Sequence, residues 1–305
     1  MFLRLLAAAQ GKPDKVTLMF FVQVLQGLME GVFLFLIASG LTLIFGVSRI
    51  VNFAHGSFYM LGAYLTYQIQ PYLAAGTSLG FLASILICGV LVAIIGVIFE
   101  VLLLRRVYHA EELMQLVLTI AAVLIIRDVT KFIWGLDDVT VQLPDAFAGA
   151  LVLGGTWLPT YQLVMVAVGS SIVVVAWLLL KFTRAGIVLR AATDDRGMVA
   201  LLGINQAYVF TGVFAVGSFL AGIAGGFASA FESINYLLDT RVIVLAFIVV
   251  VIGGLGNFYG ALIAALTVGV VKALALLWAP QLSMVLVFLL MAVVLLTRAL
   301  RRTAD

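Results

Sequence analysis

Apolar runs of 18 or more residues recur along this chain from one end to the other, broken only by short polar stretches. A run of that length crosses the roughly 30 Å hydrocarbon layer of a bilayer as a helix, in which every backbone polar group finds its partner within the same segment. Hydrophobic residues make up 65% of the 305 residues and charged residues 10%, with a mean hydropathy of +1.25. No soluble domain carries so few charges over such a length. The expected fold is therefore an all-α polytopic membrane protein of about eight to nine transmembrane helices. These are placed at roughly 16–37, 57–70, 81–104, 112–134, 160–181, 208–230, 240–256, 258–278 and 282–298. One membrane domain over 1–305 is expected, because the longest polar stretch, 135–159, holds only a small element.

The charges that remain are informative by position. The net charge of +3 comes from basic residues at helix ends, which is no nucleic-acid signal. Arg105 and Arg106 close one apolar run. Lys181, Arg184, Arg190 and Arg196 fill a loop, and Arg298, Arg301 and Arg302 end the chain. All fall on one face if the runs alternate, and the positive-inside rule makes that face cytoplasmic, with the C-terminus inside and the loop 135–159 (Asp137, Asp138, Asp145, Trp157, Pro159) outside. Arg4, Lys12 and Lys15 place the N-terminal tail inside as well, which requires a broken, re-entrant segment within 40–70. The alternative is one long first span to Gly46 with an external N-terminus. Arg4 followed by LLAAAQ is too short for a signal peptide and is read as a retained tail. Cys88 stands alone in an apolar run, which excludes an intramolecular disulfide.

Residues 40–64, GLTLIFGVSRIVNFAHGSFYMLGAY, interrupt an apolar stretch with Arg49, Asn52, His55, Gly56 and Ser57. Polar or broken backbone at membrane depth survives only where protein buries it or a wet cavity borders it. Asn52, Phe53, His55, Gly56 and Ser57, with the intramembrane Glu30, are therefore the expected substrate path. Asn52 and His55 could equally serve the freed backbone groups, and Phe58 and Tyr59 could be core. A metal site at His55 is not expected, since the only other histidine is His109 and no cysteine or carboxylate cluster accompanies it. A second, glycine-rich break, IGGLGNFYG, carries Gly253, Gly254, Gly256 and Gly260; it reads either as the counterpart of the first in an inverted repeat or as a tight turn. Glu30, Glu100, Arg127, Asp128 and Lys272 are ionisable groups in or near spans. Glu100 and Arg127 are read as reaching the interface, and Glu30 and Lys272 have no partner assignable from sequence. Gly217, Ala221 and Gly225, and Gly222 and Gly226, recur at the spacing that allows close helix approach; packing within the fold is the reading adopted over a dimer motif.

The loop 183–206, TRAGIVLRAATDDRGMVALLGINQ, mixes charges with exposed small and apolar residues. Asp194 and Asp195 precede MVALL and Gly203 offers a helix stop. Such a helix suits docking into another protein's groove, or lying on the membrane surface. This loop resembles the coupling loop of ABC importer permeases, in particular the LivH type that serves branched-chain amino acids, with its R-A-x-x-x-D-x-x-M-x-x-L-L-G-I-N. Arg190, Ala191, Asp195, Met198, Leu201, Leu202, Gly203, Ile204 and Asn205 stand at the matching places. Residues 40–64 resemble the family's G-L-T-L-I-F-G-x-x-x-x-I-N-F-A-H-G-x-x-Y-M-x-G-A-Y with Val51 at the isoleucine, and VIGGLGNFYGALIAAL resembles its L-G-G-I-G-S-x-x-G-A-x-I-G-G.

The resemblance implies an ATP-driven importer in a bacterial inner membrane. Its partners would be a second permease subunit, commonly a related one, two cytoplasmic ATPases and a periplasmic substrate-binding protein, all organised on the lipid bilayer. ATP and magnesium would sit on the ATPases; no cofactor is expected on this chain, which lacks G-x-x-x-x-G-K-[ST]. Arg190, Asp195, Met198, Leu201, Leu202 and Gly203 would couple it to those ATPases. The family often has a tyrosine where Leu34 stands, and an acidic residue where Ser57 stands. A greasier path widens the substrate range from branched-chain amino acids to urea, amides or aromatic and aliphatic carboxylates. An ion-coupled secondary transporter lacks support because paired intramembrane carboxylates are missing. A membrane enzyme lacks H-E-x-x-H, G-x-S-x-G and any histidine cluster.

Overall fold

The computed structural model describes residues 13–73, 76–108, 110–153 and 156–304, without the side chains of 13–19, 153, 156–157, 196 and 301–304. Arg4, Lys12 and His109 lie outside the described residues, as do the side chains of Lys15, Trp157, Arg196, Arg301 and Arg302. Helix α1 runs Pro13–Ser48 and α2 Ala54–Ile69, followed by α3 Ser78–Leu102 and α4 Glu112–Trp134. A small antiparallel hairpin follows, β1 Ala150–Leu153 against β2 Thr156–Pro159, with Ala150 opposite Pro159. It is the minor element expected of the 135–159 loop. Helix α5 is Thr160–Phe182, α6 Arg184–Asp194, α7 Arg196–Leu201 and α8 Gln206–Ala228. Helices α9 Leu238–Gly253, α10 Phe258–Trp278 and α11 Ser283–Ala304 complete the chain.

Among the described residues, six helical segments are long and apolar enough to cross a membrane: Phe20–Ser48, Ser78–Val107, Thr160–Phe182, Gln206–Ala228, Phe258–Trp278 and Pro280–Leu300. The chain is thus a multi-pass helical membrane protein. Helices α2 and α9 have 16 residues each and rise about 24 Å, short of the roughly 30 Å hydrocarbon layer. Helix α4 has the length, but Glu112, Arg127, Asp128 and Lys131 lower its hydropathy.

The first helix departs from expectation. It does not end near 37, and no break begins at 40; α1 is continuous for 36 residues to Ser48. The glycines at 40 and 46 are contact points rather than breakers. A Cβ at Gly40 would collide with the backbone of Gly217 in α8, and one at Gly46 would lie 3.0 Å from the Cα of Gly256. The interruption is confined to residues 49–53. Arg49 ends the helix in the left-handed region, φ 55°, a conformation few non-glycine residues adopt. Its N–H donates to the Phe45 carbonyl, and the Ser48 hydroxyl donates to Ile44 and accepts from the Ile50 N–H.

Helix α8 is the hub of the core, its residues from Gly217 to Ala228 almost wholly buried. Its small residues face partners within the same chain: Gly217 meets Ile44, Gly222 meets Val92, and Gly225 meets the backbone of Tyr59. The small-residue stripe is therefore used for packing inside the subunit, as close approach in lipid requires. A second seam joins α1 to α10 through Gly27, Gly31 and Gly269.

The two ends of the bundle differ in character. At the basic end, the C-terminus of α1, the 254–257 turn and α6 come together, with Gly46, Gly256 and Thr193 in mutual contact. At the opposite end, the Gln70 side chain donates to the Gln142 carbonyl, and Val139 bridges to Ile234.

Candidate functional site

The residues of the interrupted segment are packed rather than open. Asn52, His55 and Ser57 are fully buried, and Gly56 lies against the Asp239 carbonyl. The Asn52 side chain accepts from the Ala54 N–H and so caps α2, where Phe53 stacks against Phe247 of α9 at 4.9 Å between centroids. His55 Nε2 bonds the Ile37 carbonyl at 3.0 Å, tying α2 to the middle of α1. The Thr119 hydroxyl of α4 reaches the Val51 carbonyl, a backbone group with no helical partner. The Ile50 and Ala54 N–H groups and the Val51 carbonyl thus find side chains, the kind of partner that irregular backbone at membrane depth requires. Asn52 Nδ2 and His55 Nδ1 have no partner among the described residues.

The intramembrane charges pair off. Arg127 of α4 embraces Asp239 of α9 through Nε and Nη2 at 2.8–3.0 Å, and the Ser57 hydroxyl donates to the same carboxylate at 3.1 Å. Arg127 therefore does not merely reach the interface. Glu100 does not either: it is fully buried and accepts from Arg105, Tyr108 and Thr211. Asp128 pairs with Lys131 on the surface. Glu30 of α1 pairs with Lys272 of α10, the partner sequence could not supply. Among the described residues, no group of three or more His, Cys, Asp or Glu could hold a metal ion.

Beside the Glu30–Lys272 pair lies a cavity of about 380 Å³ at the end opposite the basic loop. Helix α1 contributes Gln23, Glu30, Phe33 and Leu34, and α5 contributes Gln162 and Met165. Glu232 comes from the loop between α8 and α9, Arg241 from the first turns of α9, and Leu276 from α10. Gln23 Nε2 donates to the Ala273 carbonyl at 2.7 Å, fixing α1 against α10. Burial pushes the Glu232 carboxyl up from its ordinary value; Lys272 and Arg241 oppose that rise, and Glu30 adds to it. Of the expected path residues only Glu30 lines this cavity. Sequence reasoning missed Gln162, Glu232, Arg241 and Asp239. The last could have been found as an acidic residue in the first turn of an otherwise apolar helix.

The basic loop folds into an elbow of two helices rather than one. Thr183 caps α6, accepting from the Gly186 N–H, and Asp195 caps α7, accepting from the Met198 N–H at 3.1 Å. Such caps satisfy helix N–H groups left without carbonyls. Gly203 closes α7 at φ 80°, a left-handed position. Met198, Leu201 and Leu202 are 56%, 84% and 71% exposed, so the apolar face of α7 has no partner within the described residues. Arg190 turns back to donate to the carbonyls of Leu180 and Lys181 at the end of α5 while remaining exposed. The 254–257 segment beside the elbow is a tight turn: Gly254 and Gly256 have φ 96° and 81°, Asn257 caps α10 by accepting from Gly260, and Gly253 packs on Gly260. Arg298 of α11 donates to the last carbonyls of α9, those of Val251 and Ile252.

Comparison with known proteins agrees with this architecture. The profile of the family described as "Branched-chain amino acid transport system / permease component" matches residues 23–295. The high-affinity branched-chain amino acid permease LivH of Salmonella typhimurium is 31% identical over 271 residues, covering 85% of this chain and 86% of the relative. LivH of Escherichia coli K12 is 30% identical over 268 residues, and BraD of Pseudomonas aeruginosa is 27% identical over 287 residues, covering 90% of this chain and 93% of that protein. No solved structure matches the chain. The match spans every element from α1 to α11, and the chain belongs to the family of branched-chain amino acid transport system permease components.

Proposed function

We propose that this chain is the membrane permease subunit of an ATP-driven importer for branched-chain and other hydrophobic amino acids. The observation that carries the reading is the elbow α6–α7. Its helices are capped internally and so are preformed, and its outermost face presents Met198, Leu201 and Leu202 without a partner among the described residues. An exposed apolar helix face beside charges fits a groove on another protein. Two cytoplasmic ATPases are the partners of that face, and they alone bind ATP and magnesium. A second, related permease completes the membrane portion, and a periplasmic binding protein delivers the substrate. The chain as a whole acts as one permease domain and catalyses no reaction.

This assignment places the basic end in the cytoplasm of a bacterial inner membrane, with the C-terminus inside and the cavity end outside. Because α1 reaches Ser48 at the basic end unbroken, its N-terminus then lies outside. The elbow contacts the 254–257 turn and the end of α1 directly, through Thr193, Gly256 and Gly46. Movement of the docked elbow is thereby passed to α1, α9 and α10 as a rigid-body shift.

Two substitutions test the reading in the assembled importer. A Cβ added at Gly203 would meet no atom within 4 Å, so the cost expected of leucine there comes chiefly from forcing φ 80° on an L-residue. That strain is about 1–2 kcal/mol, enough to reorient α7 but not to unfold the bundle. Gly203→Leu is expected to cut substrate-stimulated ATPase activity while the permease extracts and melts normally. Leu201→Asp is expected to prevent co-purification of the ATPases. Wild-type ATPase stimulation in Gly203→Leu together with full ATPase recovery in Leu201→Asp would remove the docking role.

A further inference from the structure

We propose that the cavity beside Glu30 and Lys272 is a waystation for a free amino-acid zwitterion with an apolar side chain, built within a single permease chain. The inference rests on the importer reading above and names the group that recognises each part of the cargo. The polar side of the cavity holds two acids and two bases: Glu30, Glu232, Arg241 and Lys272. Glu30 and Lys272 neutralise one another. Glu232 and Arg241 enter no ion pair or side-chain hydrogen bond among the described residues. The cavity therefore offers a carboxylate and a guanidinium that feel one another's charge but form no contact ion pair, with no net charge. Gln162 adds a third feature: its Oε1 is buried and has no donor among the described residues.

A zwitterion fits that set. Its carboxylate matches the Arg241 fork, which binds carboxylates through paired N–H groups. Its ammonium matches the Glu232 carboxylate and the Gln162 oxygen, both acceptors in want of a donor. The rest of the lining is largely apolar, with Phe33, Leu34, Met165, Val242 and Leu245, and suits a branched aliphatic side chain. A ligand of net charge would leave one of the four protein charges uncompensated beside a partly buried apolar lining, which a neutral zwitterion avoids. The volume lies at the lower end of the roughly 300–1,000 Å³ typical of ligand pockets. The walls are fixed before any ligand arrives, since Glu30–Lys272 and Gln23–Ala273 both clamp α1 to α10.

The test uses the full chain in lipid nanodiscs, with L-leucine binding read by saturation-transfer NMR. The competitors are 4-methylpentanoate, which lacks the ammonium, and 3-methylbutylamine, which lacks the carboxylate. Variants are Arg241→Gln and Glu232→Gln, chosen because neither removal strands a buried ion-pair partner. The wild type is expected to bind leucine saturably and each truncated analogue about tenfold or more weakly, the loss of one charge-assisted contact. Arg241→Gln is expected to erase the advantage of leucine over 3-methylbutylamine alone, and Glu232→Gln its advantage over 4-methylpentanoate alone. A role in packing would not produce those two opposite selectivities. No saturable leucine binding by the wild type, or unchanged analogue preferences in both variants, overturns the proposal. ATP-driven leucine uptake by the assembled importer separates the two readings. Uptake that persists undiminished in both variants overturns the waystation and leaves the importer standing. Binding with the expected preferences in a chain whose complex shows no ATP-driven uptake supports the site and sinks the importer.

Discussion

A leucine at position 225 will prevent the bundle from assembling. A Cβ at Gly225 would strike the carbonyl oxygen of Tyr59 far inside van der Waals contact, with the Tyr59 carbonyl carbon at 2.8 Å and the Ala63 nitrogen at 3.0 Å. All three atoms are backbone, so no side chain can swing aside; α2 itself would have to move away from α8. That helix is held at its start by His55 on the Ile37 carbonyl and by Ser57 on Asp239. Overpacking of a close-packed core costs about 1–3 kcal/mol when side chains absorb it, and more than about 4 kcal/mol is expected where two backbones must part. The measurement is the yield of monodisperse protein after detergent extraction, with its melting temperature. Gly212 lies on the same helix with nothing near its missing Cβ, so Gly212→Ala is the matched control and should extract as the wild type does. Wild-type yield and melting in Gly225→Leu would refute the close-packing account of α8.

The second large effect is expected at Asp239. Removing it leaves the Arg127 guanidinium, only 21% exposed, without a counter-charge. Breaking such a pair from one side costs about 3–5 kcal/mol, whereas replacing both partners by apolar groups can be nearly neutral. Helix α4 depends on this clasp. Its buried residues are only Thr119, Ala122 and Thr130, while Ile125 and Phe132 are strongly exposed. Asp239→Ala should therefore lower the melting temperature of the purified chain sharply, and Arg127→Leu with Asp239→Leu should recover most of it. An Asp239→Ala protein that melts with the wild type, or a double variant no better than the single one, would show that the pair does not anchor α4.

The class of fold was legible in the chain because the bilayer is so restrictive a solvent. Long apolar runs with few charges leave helices as the means of satisfying the backbone, and most of the expected helices lie within a few residues of those found. The cap residues of the elbow were legible for the same local reason: Asp195 and Gly203 act on neighbours three or fewer positions away. The end of α1 was not legible. Whether a glycine breaks a helix or lets another helix approach depends on what lies opposite, and Gly217 and Gly256 are remote in sequence from Gly40 and Gly46.

Sequence alone determined that this chain is a helical membrane protein with a short capped helix in its basic loop, since both follow from composition and short-range pattern. Tertiary structure decided which charges meet. Glu30 and Lys272 are separated by 242 positions, and Arg127 and Asp239 by 112. No local rule links residues so far apart; only the packing of α1 on α10, and of both α4 and α9 on α2, brings them together. In a medium that punishes lone charges, those encounters fix both the anchoring of α4 and a cavity lined by opposite charges and apolar side chains together.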